Sequence, residues 1–233
     1  MFSFLLEALL ALHVAAGVLS LVLFWLPIIT KKGRTAHRRI GLVYVYAMSV
    51  VIASALILSS IHLLSGDTVG GLAFLFLSVL TMVPLVSGVQ VLKAKRPTPG
   101  YRRLRMVLAG VLFAVSVVLL VGWQVRDSGL LLGFGIIGLL GSGNDFRQFV
   151  RVGGSGKTWL REHYEAMLFS GAAAYTAFFV IGGQNLLLLT GWWTLVPWVL
   201  PTLLTVALLP LVHRRFKQQK NNAERAQIAI PTP

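Results

Sequence analysis

The sequence contains no cysteine. Structural disulfides, thiolate metal sites and iron–sulfur clusters held by cysteine are therefore excluded. Charged residues are also scarce, at 12% of the 233 residues, whereas soluble domains carry about 25%. Because 56% of the residues are hydrophobic, the composition indicates a membrane protein without a soluble module of any size.

Apolar runs, most of them long enough to cross a membrane as a helix, account for most of the chain. The sequence predicts an all-α fold, a polytopic bundle of seven transmembrane helices within residues 1–215. Residues 216–233 are predicted to form a polar, disordered cytoplasmic tail. The predicted helices are 2–29, 40–64, 70–92, 104–125, 129–143, 163–189 and 191–212. The fifth is short and rich in glycine, and we expect it to continue towards Val150.

The formal net charge of +14 could suggest a nucleic-acid partner, but the position of the basic residues argues against one. Of the 21 lysines and arginines, all except Arg126 lie in the loops after the first, third and fifth apolar runs or in the tail. By the positive-inside rule, this distribution predicts an N-out, C-in topology. We therefore expect a multi-pass protein of the bacterial inner membrane, with the lipid bilayer as its main partner. Trp192, Trp193 and Trp198 are expected at the outer interface.

The stretch 159–180 begins with charged residues and ends in an apolar run. Four of its residues recur at helical spacing and share one face: His163, Met167, Ser170 and Ala174. Small residues at 171–174 make the middle of this helix slender, which suits close packing in lipid. We interpret it as an inner helix of the bundle with a histidine at its cytoplasmic end.

The histidines are the residues of this sequence that most strongly indicate a functional site. His13 lies about 16 Å into the first helix by the usual rise per residue, and Ala16, Gly17 and Ser20 continue its face. An ionisable group inside a membrane is costly and is a candidate functional site. The alternative is a neutral histidine that hydrogen-bonds to a carbonyl of a neighbouring helix.

His37 and His163 both start helices that run outwards, so both can lie at the same depth. Together with Asp145 they could bind a divalent metal such as zinc or iron, since proteins use imidazole and carboxylate ligands for these ions. The same two histidines could ligate a b-type haem, one from each helix. No two histidines stand at i and i+3 or i+4, so the spacing identifies no particular metal. The alternative is that both histidines cap helices and hydrogen-bond to loops and lipid phosphates.

Three segments carry a resemblance to a known family. They are His13 with Gly17, the step His37–Arg38–Gly41–Tyr44 into the second helix, and the step His163–Met167–Ser170 into the sixth. The chain resembles a family of bacterial multi-pass membrane proteins of unknown function, whose recurring patterns are H-R-x-x-G-x-x-Y and H-x-x-x-M-x-x-S. The resemblance extends from the first helix to the sixth, and it implies a membrane protein without implying an activity.

These observations support three hypotheses. The first is a metal- or haem-binding membrane protein, such as a redox component, with His37, His163 and His13 as cofactor-binding residues and Asp145 as a further metal ligand. The second is a small-solute or proton-coupled transporter that uses polar residues of the helices, namely Glu7, His13, Gln90, Gln124, Gln184 and Asn185. The third is a structural or assembly partner without a site. A homo-oligomer and a membrane-complex partner are both left open.

Overall fold

The computed structural model describes residues 2–30, 33–94, 98–151, 159–182, 193 and 196–228. Its seven long helices are α1 Phe2–Ile29, α2 Thr35–Leu64, α3 Thr68–Ala94, α4 Pro99–Arg126, α5 Gly129–Arg151, α6 Trp159–Ala177 and α7 Val196–Ile228. A π-helical turn, Phe178–Gly182, continues α6. These residues contain no strand, and the predicted all-α bundle of seven apolar helices is confirmed.

All seven helices are long and apolar enough to cross a membrane. Large apolar side chains cover their outer surfaces, for example Val18 on α1, Val121 on α4 and Leu140 on α5. An apolar surface of this extent is unfavourable in water and is satisfied by contact with lipid. The chain is therefore a multi-pass membrane protein, and its N-out, C-in orientation and inner-membrane location stay predictions.

The central helix of the bundle is α3, which contacts α2, α4, α5 and α6. Phe76 of α3 is fully buried, in a core cluster that α3 forms with α4 and α5. The α6 helix also lies inside the bundle, because it contacts α1, α3 and α7 and buries its small residues from Ser170 to Ala173. The predicted inner position of the sixth helix agrees with this packing, whereas the sequence did not single out α3.

Glycines set the distance between α4 and α5. Gly135 and Gly138 of α5 face Leu120 and Ser116 of α4, where a side chain on either glycine would collide with its neighbour. Close approach of this kind is the usual role of small residues between membrane helices. The glycine-rich fifth helix is therefore a tightly packed element.

The helices cross the bundle alternately and define two ends. The basic end holds the C-terminal ends of α1, α3 and α5 and the N-terminal ends of α2, α4 and α6, which meet in contacts such as His163 with Gly88. The opposite end holds the α2–α3 turn, with His62 and Asp67, and the α4–α5 turn.

Helices α2 and α4 begin at Thr35 and Pro99, earlier than the sequence predicts. Arginine is a good helix former, and its long side chain can reach the membrane surface from within a helix, so the basic residues extend both helices. Thr98 then caps α4, because its hydroxyl accepts the backbone N–H of Tyr101 at 3.2 Å and Pro99 occupies the first helical position.

The last two predicted helices reach beyond the described residues. Positions 183–189 of the sixth and 191–192 of the seventh lie outside them. At its other end, α7 continues as helix to Ile228, where the sequence predicts a disordered tail from residue 216. This segment is rich in glutamine, lysine and alanine, which favour helix even when they are polar.

Candidate functional site

His163 and His37 both lie at the basic end, at the start of α6 and of α2. The Nδ1–H of His163 donates to the carbonyl oxygen of Gly88 on α3 at 2.7 Å, and the Nδ1–H of His37 donates to the carbonyl oxygen of Pro27 on α1 at 3.1 Å. The two imidazoles are near enough to interact electrostatically. The structure therefore brings together two histidines that are far apart in the sequence, each oriented by a backbone carbonyl.

Asp145 does not join this pair in a metal cluster. Its Oδ1 accepts a hydrogen bond from Nη2 of Arg105 on α4 at 2.9 Å, and the salt bridge is largely buried. Among the described residues, no group of three or more histidines, aspartates and glutamates is arranged to hold a metal ion. The predicted ligands His37, His163 and Asp145 are therefore not assembled as three ligands, because Asp145 is engaged with a guanidinium on another helix.

His13 forms a hydrogen bond within the membrane span. Its Nδ1–H donates to Oγ of Ser54 on α2 at 2.8 Å, and the Ser54 hydroxyl donates in turn to the carbonyl oxygen of Val50 at 2.7 Å. The alternative considered from the sequence was a bond from the ring to a carbonyl of a neighbouring helix. In the structure a serine hydroxyl of α2 lies between the ring and that carbonyl. His13 thus joins α1 to α2.

The two remaining histidines also pair with neighbouring side chains. At the opposite end, Nδ1 of His62 lies 2.8 Å from Oδ2 of Asp67, whose Oδ1 accepts the backbone N–H of Gly70. The Gly70 amide, and after it the His62 ring, hold the pKa of the Asp67 carboxyl below its usual value. At the basic end, the hydroxyl of Tyr164 and Nδ1 of His213 are 2.6 Å apart and join α6 to α7.

Residues from the start of α2 and from α6 that belong to the two sequence motifs meet in the core. The hydroxyls of Tyr44 on α2 and Ser170 on α6 are 3.1 Å apart and buried. Met167 packs in the same apolar cluster as Tyr44 and Met48. The face of α6 that begins at His163 is therefore a packing face against α2 and α3.

Another face of α6 lines a cavity of about 360 Å³ between α3, α4, α5, α6 and α7. The lining residues of α6 recur at helical spacing, at positions 162, 165, 166, 169, 172, 173 and 176. Those of α5 do the same, at positions 134, 137, 141, 144 and 145. The cavity therefore runs along these two helices, and its volume lies within the roughly 300–1,000 Å³ of small-molecule sites.

One end of the cavity is charged. Arg105, Asn144, Asp145, Glu162 and Glu165 line it there, at the basic end of the bundle. We call this the polar end of the cavity.

Hydrogen bonds hold the side chains of the polar end in place. Besides the Arg105–Asp145 salt bridge, the hydroxyl of Tyr101 donates to Oε1 of Glu162 at 2.6 Å. The Nε–H of Arg161 donates to Oε1 of Glu165 at 2.7 Å. Charges of both signs are thus gathered at one end of a cavity whose other walls are mostly apolar.

The other end of the cavity is aromatic. Phe134 of α5 stacks on Phe76 of α3 with ring centroids 4.6 Å apart, and its ring lies 5.0 Å from that of Trp198 on α7. We call the part of the cavity around Phe134 and Trp198 its apolar end. Between the two ends, Leu80 and Pro84 of α3 contribute to the wall.

The three tryptophans predicted at the outer interface differ in their surroundings. Trp198 packs at the apolar end of the cavity, and Trp193 is exposed. Trp192 lies outside the described residues.

The sequence analysis placed the candidate site of α6 on the face of His163 and did not single out the face of Glu162 and Glu165, which lines the cavity. A signal was present, since both glutamates continue at helical spacing into Ala166, Phe169 and Ala173. The polar residues assigned to transport lie elsewhere. Glu7 and Gln124 are exposed, Gln90 is half-buried outside the cavity lining, and positions 184 and 185 lie outside the described residues.

Comparisons of the chain with protein-family models, with curated proteins and with solved structures returned no match.

Proposed function

We propose that this multi-pass membrane protein binds a small organic molecule in the cavity, as the binding step of a small-solute transporter. One observation carries the proposal, a cavity inside the membrane-spanning bundle whose basic end is lined by five polar or charged residues. Pockets that combine apolar walls with a few convergent polar groups are the usual form of small-molecule sites. Binding sites between the helices of a bundle are built in the same way.

The energetic cost of the polar end supports this interpretation. Charged side chains within a membrane-spanning bundle are expensive, and they generally face the bundle interior or a cavity and mark a ligand pathway. Arg105 is only 8% exposed and nevertheless lines the cavity. A bundle that needed only to pack could place apolar residues at this position without that cost.

Native mass spectrometry of the purified protein tests the proposal. In Ala173→Phe a ring added on α6 enters the cavity, and in Ala53→Phe the same ring is added on an exposed face of α2. We expect the wild type and Ala53→Phe to retain a bound small molecule that Ala173→Phe loses. Retention by a folded Ala173→Phe protein, or a wild type without any bound molecule, would contradict the proposal.

A second candidate function rests on His37 and His163, as a metal- or haem-binding site at the basic end. Both rings donate their Nδ1–H to a backbone carbonyl, which is how many metal-binding histidines are oriented so that Nε2 coordinates the ion. A divalent metal would need further ligands from solvent or substrate, because the described residues supply no third ligand.

Optical spectra of oxidised and dithionite-reduced protein, with elemental analysis of the same sample, test this second function. A Soret band, or stoichiometric zinc or iron, that disappears in both His37→Ala and His163→Ala is the expected result. His62→Ala at the opposite end is the control. A metal content that none of the three substitutions changes would exclude the site.

A further inference from the structure

We propose that the ligand of the cavity is a zwitterionic membrane amphiphile that enters sideways from the bilayer, with its chain between α5 and α7 and its head group at the polar end. This inference rests on the proposed function and names its ligand. Three features of the cavity carry it: the polarity along its length, its opening towards lipid, and the two signs of charge at its polar end.

The polarity of the cavity changes along the direction of the membrane normal. From Phe134 to Asp145 the wall on α5 extends about 16 Å at the helical rise, roughly half the ~30 Å hydrocarbon thickness. The charged residues lie at the basic end, and the aromatic residues lie towards the opposite end, where Phe134 is the sixth residue of α5 and Trp198 the third of α7. A lipid in the adjacent leaflet has the same order of polarity, with its head at the membrane surface and its chain extending into the hydrocarbon.

The apolar half would suit a compact polar solute poorly. Its polar side chains are Thr176 and Thr202, and threonine hydroxyls inside membrane helices usually bond to the carbonyl one turn earlier. The other lining residues there are apolar, and they include Phe134, Ile137, Phe169 and Trp198. A polar solute on this surface would lose its hydrogen bonds to water and would gain few in return. An acyl chain forms no such hydrogen bonds, so it has none to lose.

The cavity opens towards lipid between α5 and α7. Within the described residues, no Cα atom of α5 comes within 8 Å of one of α7, and the rings of Phe134 and Trp198 lie 5.0 Å apart between the two helices. Ile137 and Phe169 line the cavity and are also 49% and 38% exposed. In a membrane-spanning bundle, an exposed residue at this depth faces the acyl chains. A chain can therefore enter from the bilayer without crossing the aqueous phase.

The polar end offers groups for both charges of a zwitterionic head group. Arg105 lines the cavity and Arg161 is bonded to the lining residue Glu165, so a phosphate at the polar end would lie beside two guanidinium groups that already form hydrogen bonds with carboxylates. Asp145, Glu162 and Glu165 supply carboxylates for an ammonium group. An anionic head group would meet three carboxylates, whereas a head group with both charges can be placed with each charge beside its opposite.

Photo-crosslinking in vesicles tests the inference. The full chain is reconstituted in phosphatidylethanolamine and phosphatidylglycerol vesicles that contain a phosphatidylethanolamine with a diazirine midway along one acyl chain. Peptide mass spectrometry then maps the crosslinks. We expect labelling of the α5 segment 134–141 and the α6 segment 166–173 to exceed that of the lipid-facing surface of α4 around Val117 and Val121. Excess lysophosphatidylethanolamine should compete for this labelling, and lysophosphatidylglycerol should not.

Two variants separate the cavity from the general lipid surface. Ala173→Phe should lose most of the labelling in both segments, while Ala53→Phe should keep the wild-type pattern. Labelling no stronger than on α4 would overturn lateral entry, and equal competition by the two lysolipids would overturn the zwitterionic assignment.

Native mass spectrometry distinguishes failure of this inference from failure of the proposed function. If soluble phosphoethanolamine or another polar solute binds the wild type but not Ala173→Phe, and no lipid crosslinks appear in the cavity, the proposed function stands and the amphiphile is excluded. If neither a solute nor a lipid occupies the cavity, both proposals fail.

Discussion

Among individual side chains, Arg105 and Asp145 determine the character of the polar end. Both lie largely out of solvent, on α4 and α5 respectively, and their N and O atoms are 2.9 Å apart. A charge buried in a membrane protein is tolerable when an opposite charge lies beside it, and removing one partner leaves the other uncompensated.

Asp145→Asn should lower the free energy of unfolding by about 3 kcal/mol, because it removes the negative charge from a largely buried salt bridge. Unfolding in a mild detergent, followed by circular dichroism, measures this loss. Asp127→Asn is the matched control. Asp127 is exposed in the α4–α5 turn, at a φ of 47° that asparagine also adopts readily. Equal stability of the two variants would show that the salt bridge contributes little.

The helices pack most closely where a glycine of one meets the side chains of another. Gly138 of α5 lies against Ser116 of α4 and Phe76 of α3, and so ties three helices together near the apolar end of the cavity. In lipid, association between helices depends on such close packing, since the bilayer supplies little hydrophobic driving force. The spacing of α4 and α5 therefore controls one wall of the cavity.

Gly138→Ala should destabilise the bundle by about 1–3 kcal/mol through overpacking. Its new Cβ would lie 2.8 Å from Cε2 of Phe76 and 3.1 Å from Cβ of Ser116. Gly17→Ala, where nothing lies within 4 Å of the new Cβ, is the control. It should be neutral or slightly stabilising, because alanine is the better helix former. Thermal unfolding of both variants in the same detergent gives the comparison, and similar melting temperatures would refute tight α4–α5 packing.

The bundle as a whole is asymmetric in charge, and the cavity shares that asymmetry. Arginines and lysines gather at the basic end, where the polar end of the cavity also lies. If the positive-inside rule applies, this end faces the cytoplasm. A ligand taken from the bilayer would then come from the inner leaflet, so the orientation of the chain bears directly on the direction of any transport.

Single cysteines can measure the orientation directly, because the chain has none of its own. Ser65→Cys at the opposite end and Thr98→Cys at the basic end both place the thiol at an exposed position. A membrane-impermeant maleimide should label Ser65→Cys in intact cells, and it should label Thr98→Cys only after permeabilisation. The reverse pattern would show that the basic end lies outside.

Composition and periodicity alone establish that this is a membrane protein of seven helices, and they place the residues that share a face. The scarcity of charged residues and the length of the apolar runs are enough to predict the membrane helices. Both are local properties of the sequence, and the only outside quantity they are compared with is the thickness of a bilayer. The small middle of α6 and the shared face of His163, Met167 and Ser170 were predictable for the same reason.

What those faces contact depends on packing between helices that are distant in the chain. Periodicity could not reveal that Ser170 meets Tyr44, that Asp145 pairs with Arg105, or that His37 and His163 are oriented by carbonyls of other helices. Nor could it reveal the cavity, whose walls come from five helices. A one-dimensional pattern specifies angles around each helix axis, whereas the space between helices arises only when several such patterns are packed against each other.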